Sequence, residues 1–461
     1  MKKETVTSRK LKAPVSGFPV AVRAGHLLFI SGRAGLDYES GMPVTGYREL
    51  GRKPVPALGL LAPDSWEETF VAQAARLYED LEILLVEQGA TQSDLLFYSI
   101  YKRDMRNFPV IARARAALFK GGVAPPSTAS QVPALVYPGA VVYFDPVAII
   151  PDAAKGVRKQ VLTSSHVVQG PLSNYELASR AGDFTFYAGV VGAHPESGRI
   201  VYGDNEVKDR HWPRPAGGLA ARLQLGPISA QTCTIYHLMR DMLQEHGADL
   251  SNVLRFNIYL RNMSELPEVE RISEHFMRDL APAGTVIGVE SLARRDFYIE
   301  IECVTYTGGP LIFAPRNERV ASWGHHADGV RGGDLVFVSG LVGYDAARGG
   351  IAHGPRDLTP ASSSRVAHAI AGLDAESAEQ IAAAAQTQII LDQLALILQS
   401  LDSDLGSVLK LTVYLRDIRE LPFVRNVLLA GLGENPPAIT VVAVHDLPLR
   451  EARVQIEAIA L

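Results

Sequence analysis

Residues Leu27–Asp37 read LLFISGRAGLD: an apolar run, a small residue, a glycine, and a second glycine three positions on. Residues 184–194 read FTFYAGVVGAH and residues 335–345 read LVFVSGLVGYD, so the same arrangement occurs three times. A short apolar run closed by glycine predicts a buried strand. Two further elements recur in the same order. SIYKRDMRNFP (99–109), NIYLRNMSELP (257–267) and TVYLRDIRELP (412–422) share a tyrosine, a basic residue and a closing proline. YFDPVAI (143–149), EIECVTY (300–306) and QIEAIAL (455–461) each carry an acid: Asp145, Glu302 and Glu457. The spacing is about 155 residues throughout, a period that means tandem domains rather than a solenoid of short repeats. The expected division is 1–155, 156–309 and 310–461.

Within each copy the pattern gives β-β-α-β-α-β-β, an α+β unit with helices on one sheet face. The first helix is apolar at Phe70, Ala74, Leu77, Leu81 and Leu84 in copy one, and Gly89 and Gly247 are placed to stop it in copies one and two. In the third copy, Ser377 with Gln380 predicts a capping box. The second helix is expected to start just after Pro109, Pro267 or Pro422, where a fixed φ suits a first turn. In YIEIECV, Ile299, Ile301 and Cys303 face one way and Glu300 and Glu302 the other. Linkers are expected at PDAAKGVRKQVLTSSH and TGGPLIFAPRNERV. Irregular inserts are expected near 38–64, 199–228 and 346–376, the second containing KDRHWPRPAGG.

Of the 461 residues, 47% are apolar and 21% charged, an ordinary balance for a soluble globular protein, and the net charge is −5. There is no basic excess to match a nucleic-acid backbone. Two cysteines, Cys233 and Cys303, make no disulfide framework and fit a reducing compartment. No signal sequence or membrane-spanning run is evident, so a cytoplasmic protein without nucleic-acid or membrane partners is expected. No cofactor or metal is assigned. HHAD (325–328) has adjacent histidines, which point apart on an extended segment.

The motifs FISG and FVSG, the helix glutamines Gln73, Gln231 and Gln386, VYLRD, the PP turns at Pro125–Pro126 and Pro436–Pro437, and the closing IEAIA resemble the Rid (YjgF-like) family, over nearly the whole chain. That resemblance implies three chorismate-mutase-like domains fused as an intramolecular pseudo-trimer, sheets inside and helices outside, with ligand clefts between copies and room for further self-association. In deaminating members an arginine after the Pro-rich turn holds a substrate carboxylate. The matching residues here are Thr128, Gly284 and Ile439, so that fork is absent from all three copies. The closing-strand acids Asp145, Glu302 and Glu457 line the family's cleft and are candidate general acids or bases. The aromatic that reaches a neighbour's cleft matches Phe18, Tyr175 and His326, the last a candidate proton-transfer group. The strand ends Ser31–Gly32, Ala188–Gly189 and Ser339–Gly340 are candidate ligand-binding backbone. Arg33 and Arg425 are the nearby arginines available for an anion.

These features point to hydrolysis or deamination of an imine- or enamine-like intermediate at one cleft, on a substrate other than the common small 2-imino acid. Two alternatives stand beside it: a non-catalytic ligand-binding or scaffold protein, and an enol-ether hydrolase resembling the chorismatases.

Overall fold

The computed structural model of the chain describes residues 1–12, 15–50, 65–119, 122–167, 174–203, 206–207, 226–315 and 324–461. KDRHWPRPAGG and much of the first and second inserts lie outside the described residues.

The third copy shows the unit most plainly. A hairpin, Gly329–Gly332 and Leu335–Val342, leads into helix Ala378–Ser400, then strand Val408–Leu415, helix Leu421–Leu432, strand Ala438–Ala443 and closing strand Val454–Ala460. The closing strand lies antiparallel between the hairpin and Val408–Leu415. Ala438–Ala443 runs parallel to Val408–Leu415, as a helical crossover requires. The first copy repeats the plan with central strand Leu95–Lys102 and closing strand Val142–Ile149, and the second with Val253–Leu260 and Ile299–Tyr306. Three mixed sheets result, each covered by its helices.

The opening motif now has a physical account. A Cβ on Gly35, Gly192 or Gly343 would lie within 2.3–2.5 Å of Gln73, Gln231 or Gln386 on the first helix. The second glycine therefore lets that helix press onto the strand. Each glutamine then ties the helix to the turn before the closing strand. Gln73 accepts from the Val141 N–H at 2.8 Å, Gln231 from Tyr298 at 2.9 Å and Gln386 from Arg453 at 2.7 Å.

The sheets are stitched to one another in a cycle. Leu135 of the first copy pairs with Val442 of the third. Leu292 of the second pairs with Ser130 of the first. Asp446 of the third bridges Gly288 of the second. The sheet faces turned away from the helices meet in two mixed apolar clusters. One holds Phe29, Phe97, Leu254, Phe337 and Ile459. The other holds Tyr101, Tyr143, Tyr259, Tyr414, Ile287 and Val442. Along the first closing strand the acid falls between them, in the series Val147, Asp145, Tyr143, and the second strand aligns Val304, Glu302 and Glu300 in the same places.

Three details depart from the sequence expectations. Both predicted linkers contain an edge strand, Lys159–Leu162 and Ile312–Phe313, each paired with the hairpin that follows, just as Lys3–Val6 pairs with Ala21–Ala24. The third insert is not irregular, because Pro360–Ala369 forms a helix that buries Val366 in the third core. Ser377 makes no capping bond, since Gln380 accepts from the Glu376 N–H instead. Helix Ala378–Ser400 is long and apolar enough to cross a membrane by composition, but most of it is buried in this core.

Candidate functional site

Asp145, Glu302 and Glu457 all lie at boundaries between copies, around the fully buried Tyr101, Tyr259 and Tyr414. Asp145 pairs with Lys410 of the third copy at 2.6 Å. Glu457 pairs with Arg255 of the second at 3.2 Å and accepts from the Thr285 hydroxyl at 2.6 Å. Lys410 and Arg255 each stand four residues before the central tyrosine, and the matching residue before Tyr101 is Phe97. The seam between first and second copies thus lacks the cation the other two possess. Its acid, Glu302, accepts from Asn257 at 3.2 Å. Burial pushes Glu302 up to about 7, opposed by the charge of Arg255.

The strand ends break the symmetry at the same seam. Ser31 Oγ donates to the Pro19 carbonyl and accepts from the Ile439 N–H, while the Gly32 N–H donates to the Ile439 carbonyl. Ser339 Oγ likewise donates to Ala327 and accepts from the Gly284 N–H. Ala188, the matching residue in the second copy, has no hydroxyl to make such a tie. Beneath the following glycines, Gly32 packs on the Tyr143 ring, Gly340 on Gln455 and Gly189 on Glu300. Tyr143 is apolar filling and Gln455 donates to the Gly340 carbonyl at 3.1 Å. Glu300 Oε2 has no hydrogen-bond partner among the described residues. Burial, then the neighbouring Glu302, push Glu300 up to about 8.

This seam opens into a cavity of about 1190 Å³, larger than the usual ligand pocket. Tyr175, Gly189, Glu300, Arg115 and Phe297 are among its lining residues. Arg115, from helix Phe108–Leu118, is 2% exposed. Its Nη1 donates to Ser127 Oγ at 3.3 Å, and the Tyr175 ring lies over the guanidinium at 5.1 Å. Its Nε and Nη2 have no partner among the described residues.

Of the residues marked by sequence, Tyr175 and Gly189 line this cavity, and Glu302 lies two residues beyond Glu300 on the same strand face. The others have internal structural engagements. Arg33 is buried in an ion pair with Asp80 at 2.6 Å and donates to the Lys12 carbonyl, so it offers no open anion contact. Arg425 Nε donates to the Ser16 carbonyl at 2.8 Å, fastening the first copy to the third. Phe18 is buried in the third copy's core beside Val15. His326 is packed against Gly284 and bonded to Glu270 at 3.3 Å, in the seam of second and third copies. His325 contacts the Leu280 carbonyl at 3.0 Å, so the two imidazoles have different partners. Asp145 and Glu457 are ion-paired, and Ser31, Gly32, Ser339 and Gly340 take part in contacts across the other two seams.

Two residues at the cavity were missed. Glu300 was visible as the first acid of IEIE, where the other copies have Tyr143 and Gln455. Arg115 was visible six residues after the helix proline, where the other copies have Ser273 and Leu428.

A family model described as Endoribonuclease L-PSP matches residues 216–307 and again 316–461. The chain belongs to this family, the Rid proteins. A RutC family protein of Pyrococcus abyssi is 26% identical over 136 residues, which is 30% of this chain and 88% of that protein. A 2-iminobutanoate/2-iminopropanoate deaminase of Dermatophagoides farinae is 21% identical, over 31% of this chain and 93% of its own length. A chloroplastic Reactive Intermediate Deaminase A of Arabidopsis thaliana is 27% identical, over 34% and 72%. Each Rid relative therefore corresponds to about a third of this chain. Among solved structures, a chorismatase covers 80% of this chain and 94% of its own at 13% identity and TM-score 0.45. A Thermotoga maritima protein titled a putative endoribonuclease covers 32% and 98% at 20% identity and TM-score 0.25.

Proposed function

We propose that this Rid protein is an intramolecular pseudo-trimer with one working seam, between its first and second copies, and that this seam hydrolyses an imine- or enamine-like intermediate. The cyclic stitching of three sheets supports the first part. The observation that carries the second is Glu300, a buried carboxyl with an unbonded oxygen, set against Gly189 in a large cavity. The relative named as an iminobutanoate deaminase supports the reaction class.

Held neutral near pH 7 by burial and by Glu302, Glu300 donates its proton to the imine nitrogen. Water then attacks the electrophilic carbon, and the Glu300 carboxylate takes the proton that water releases. Transfer of that proton to nitrogen lets the C–N bond break and ammonia leave, while the Glu300 carboxylate takes the proton of the carbinol hydroxyl, giving the carbonyl compound and restoring neutral Glu300. An enamine enters the same sequence after protonation on carbon. Glu302 is a positioning residue that sets the proton affinity of Glu300. Asp145 and Glu457, ion-paired in the other seams, take no part.

The test uses imines generated in situ by an amino-acid oxidase, with release of ammonia and of the carbonyl product followed. Glu300→Gln should lower kcat/KM by roughly 10²-fold or more while the circular dichroism spectrum is kept. Full turnover in a folded E300Q protein would make the cavity a binding site rather than a catalytic one.

A further inference from the structure

The family's carboxylate-binding arginine is missing from the strand after each Pro-rich turn, where Thr128, Gly284 and Ile439 stand. At the open seam another arginine, from a different element, lines the cavity on the strand face that carries Ser127, Ala129 and Gln131. Arg115 projects from helix Phe108–Leu118 and donates to Ser127, the residue next to Thr128. Its charge has no acidic partner among the described residues, and two of its nitrogens are shielded from water without an acceptor. A buried guanidinium left in that state destabilises the empty protein. Such a group is accounted for by a ligand that completes it.

The rest of the lining extends this account. Five arginines and two acids line the cavity, and one of the acids is Glu300. Arg294 is occupied by Asp296 at 2.9 Å, but the neighbouring exposed Arg295 has no side-chain partner among the described residues. The apolar Phe297 is also part of the lining. A three- or four-carbon acid would fill little of a cavity this size.

We infer that Arg115 is the anion anchor of this cleft, and that the ligand is an elongated dianion whose first carboxylate meets Arg115, whose apolar body lies along Phe297, and whose second anionic group meets Arg295. The inference deepens the proposed function by naming its substrate class, and it rests on that reading only for turnover.

The test is calorimetric titration of the full chain with saturated α,ω-dicarboxylates from glutarate to azelate, against monocarboxylates of equal chain length. At the best length the dicarboxylate should bind at least tenfold more tightly than its monocarboxylate. Arg115→Met should weaken both by tenfold or more, while the Tm of the unliganded protein holds or rises. Arg295→Ser should bring the dicarboxylate down to the monocarboxylate. Equal binding of the two series, wild-type affinity in R115M, or a lowered Tm in R115M would overturn the inference. The readout is binding, so it stands apart from catalysis: E300Q should keep the dicarboxylate affinity even where turnover is lost.

Discussion

Glu300 and Glu302 stand on one face of one strand, so each buries a carboxyl beside the other, and both hold their protons well above the ordinary 4.5. A group whose proton affinity is raised by folding adds stability that is complete below its unfolded value and is lost as pH rises through its folded one. The window here runs from about 4.5 to about 8. Wild-type stability should therefore fall, relative to Glu300→Gln, as pH rises from 5 to 8, by roughly 2–4 kcal/mol across the window. Urea midpoints of the two proteins across this pH range check it, and parallel curves would mean that Glu300 ionises freely. In the first copy the matching acid, Asp145, forms an ion pair with Lys410 at 2.6 Å. The sequence showed an acid in all three copies but could not show this difference, because the deciding cation lies in another copy, hundreds of residues away.

At the scale of elements, the strand ends decide which seams close. Ser339 joins two buried backbone groups, the Ala327 carbonyl and the Gly284 N–H, which without its hydroxyl are left without that partner. Ser339→Ala should cost about 1–3 kcal/mol in chemical denaturation. Ala188→Ser should change stability by no more than about 1 kcal/mol, in the stabilising direction if the new hydroxyl finds the Thr128 backbone. A larger loss in A188S than in S339A would mean that Ala188 is required by packing. Secondary structure was legible here in detail. The glycine stops, the proline helix starts and the alternation of the closing strands all follow from local rules, and Gly89 and Gly247 do take positive φ. What escaped were the edge strands inside the supposed linkers. Ile312–Phe313 is two residues long and exposed, and it pairs only because the hairpin beside it leaves an edge.

At the scale of the molecule, the proposed pseudo-trimer makes the assembly of the three sheets intramolecular. The chain should run as a single-chain species with a Tm independent of protein concentration over a hundredfold range. A concentration-dependent Tm would mean that seams are shared between chains. Fusion also frees the three seams to diverge. Phe97 in place of a cation, Ala188 in place of a serine and Arg115 in place of Ser273 or Leu428 all alter the same seam.

By itself the sequence determined the repeated unit, its order of strands and helices, and the acid on each closing strand, because periodicity, turn chemistry and alternation are local properties of a chain. Which acid meets a cation, which strand end is tied shut and which arginine is left over were decided only by tertiary structure. Each of those outcomes depends on a partner brought in from another third of the chain, and no local pattern records the distance between them.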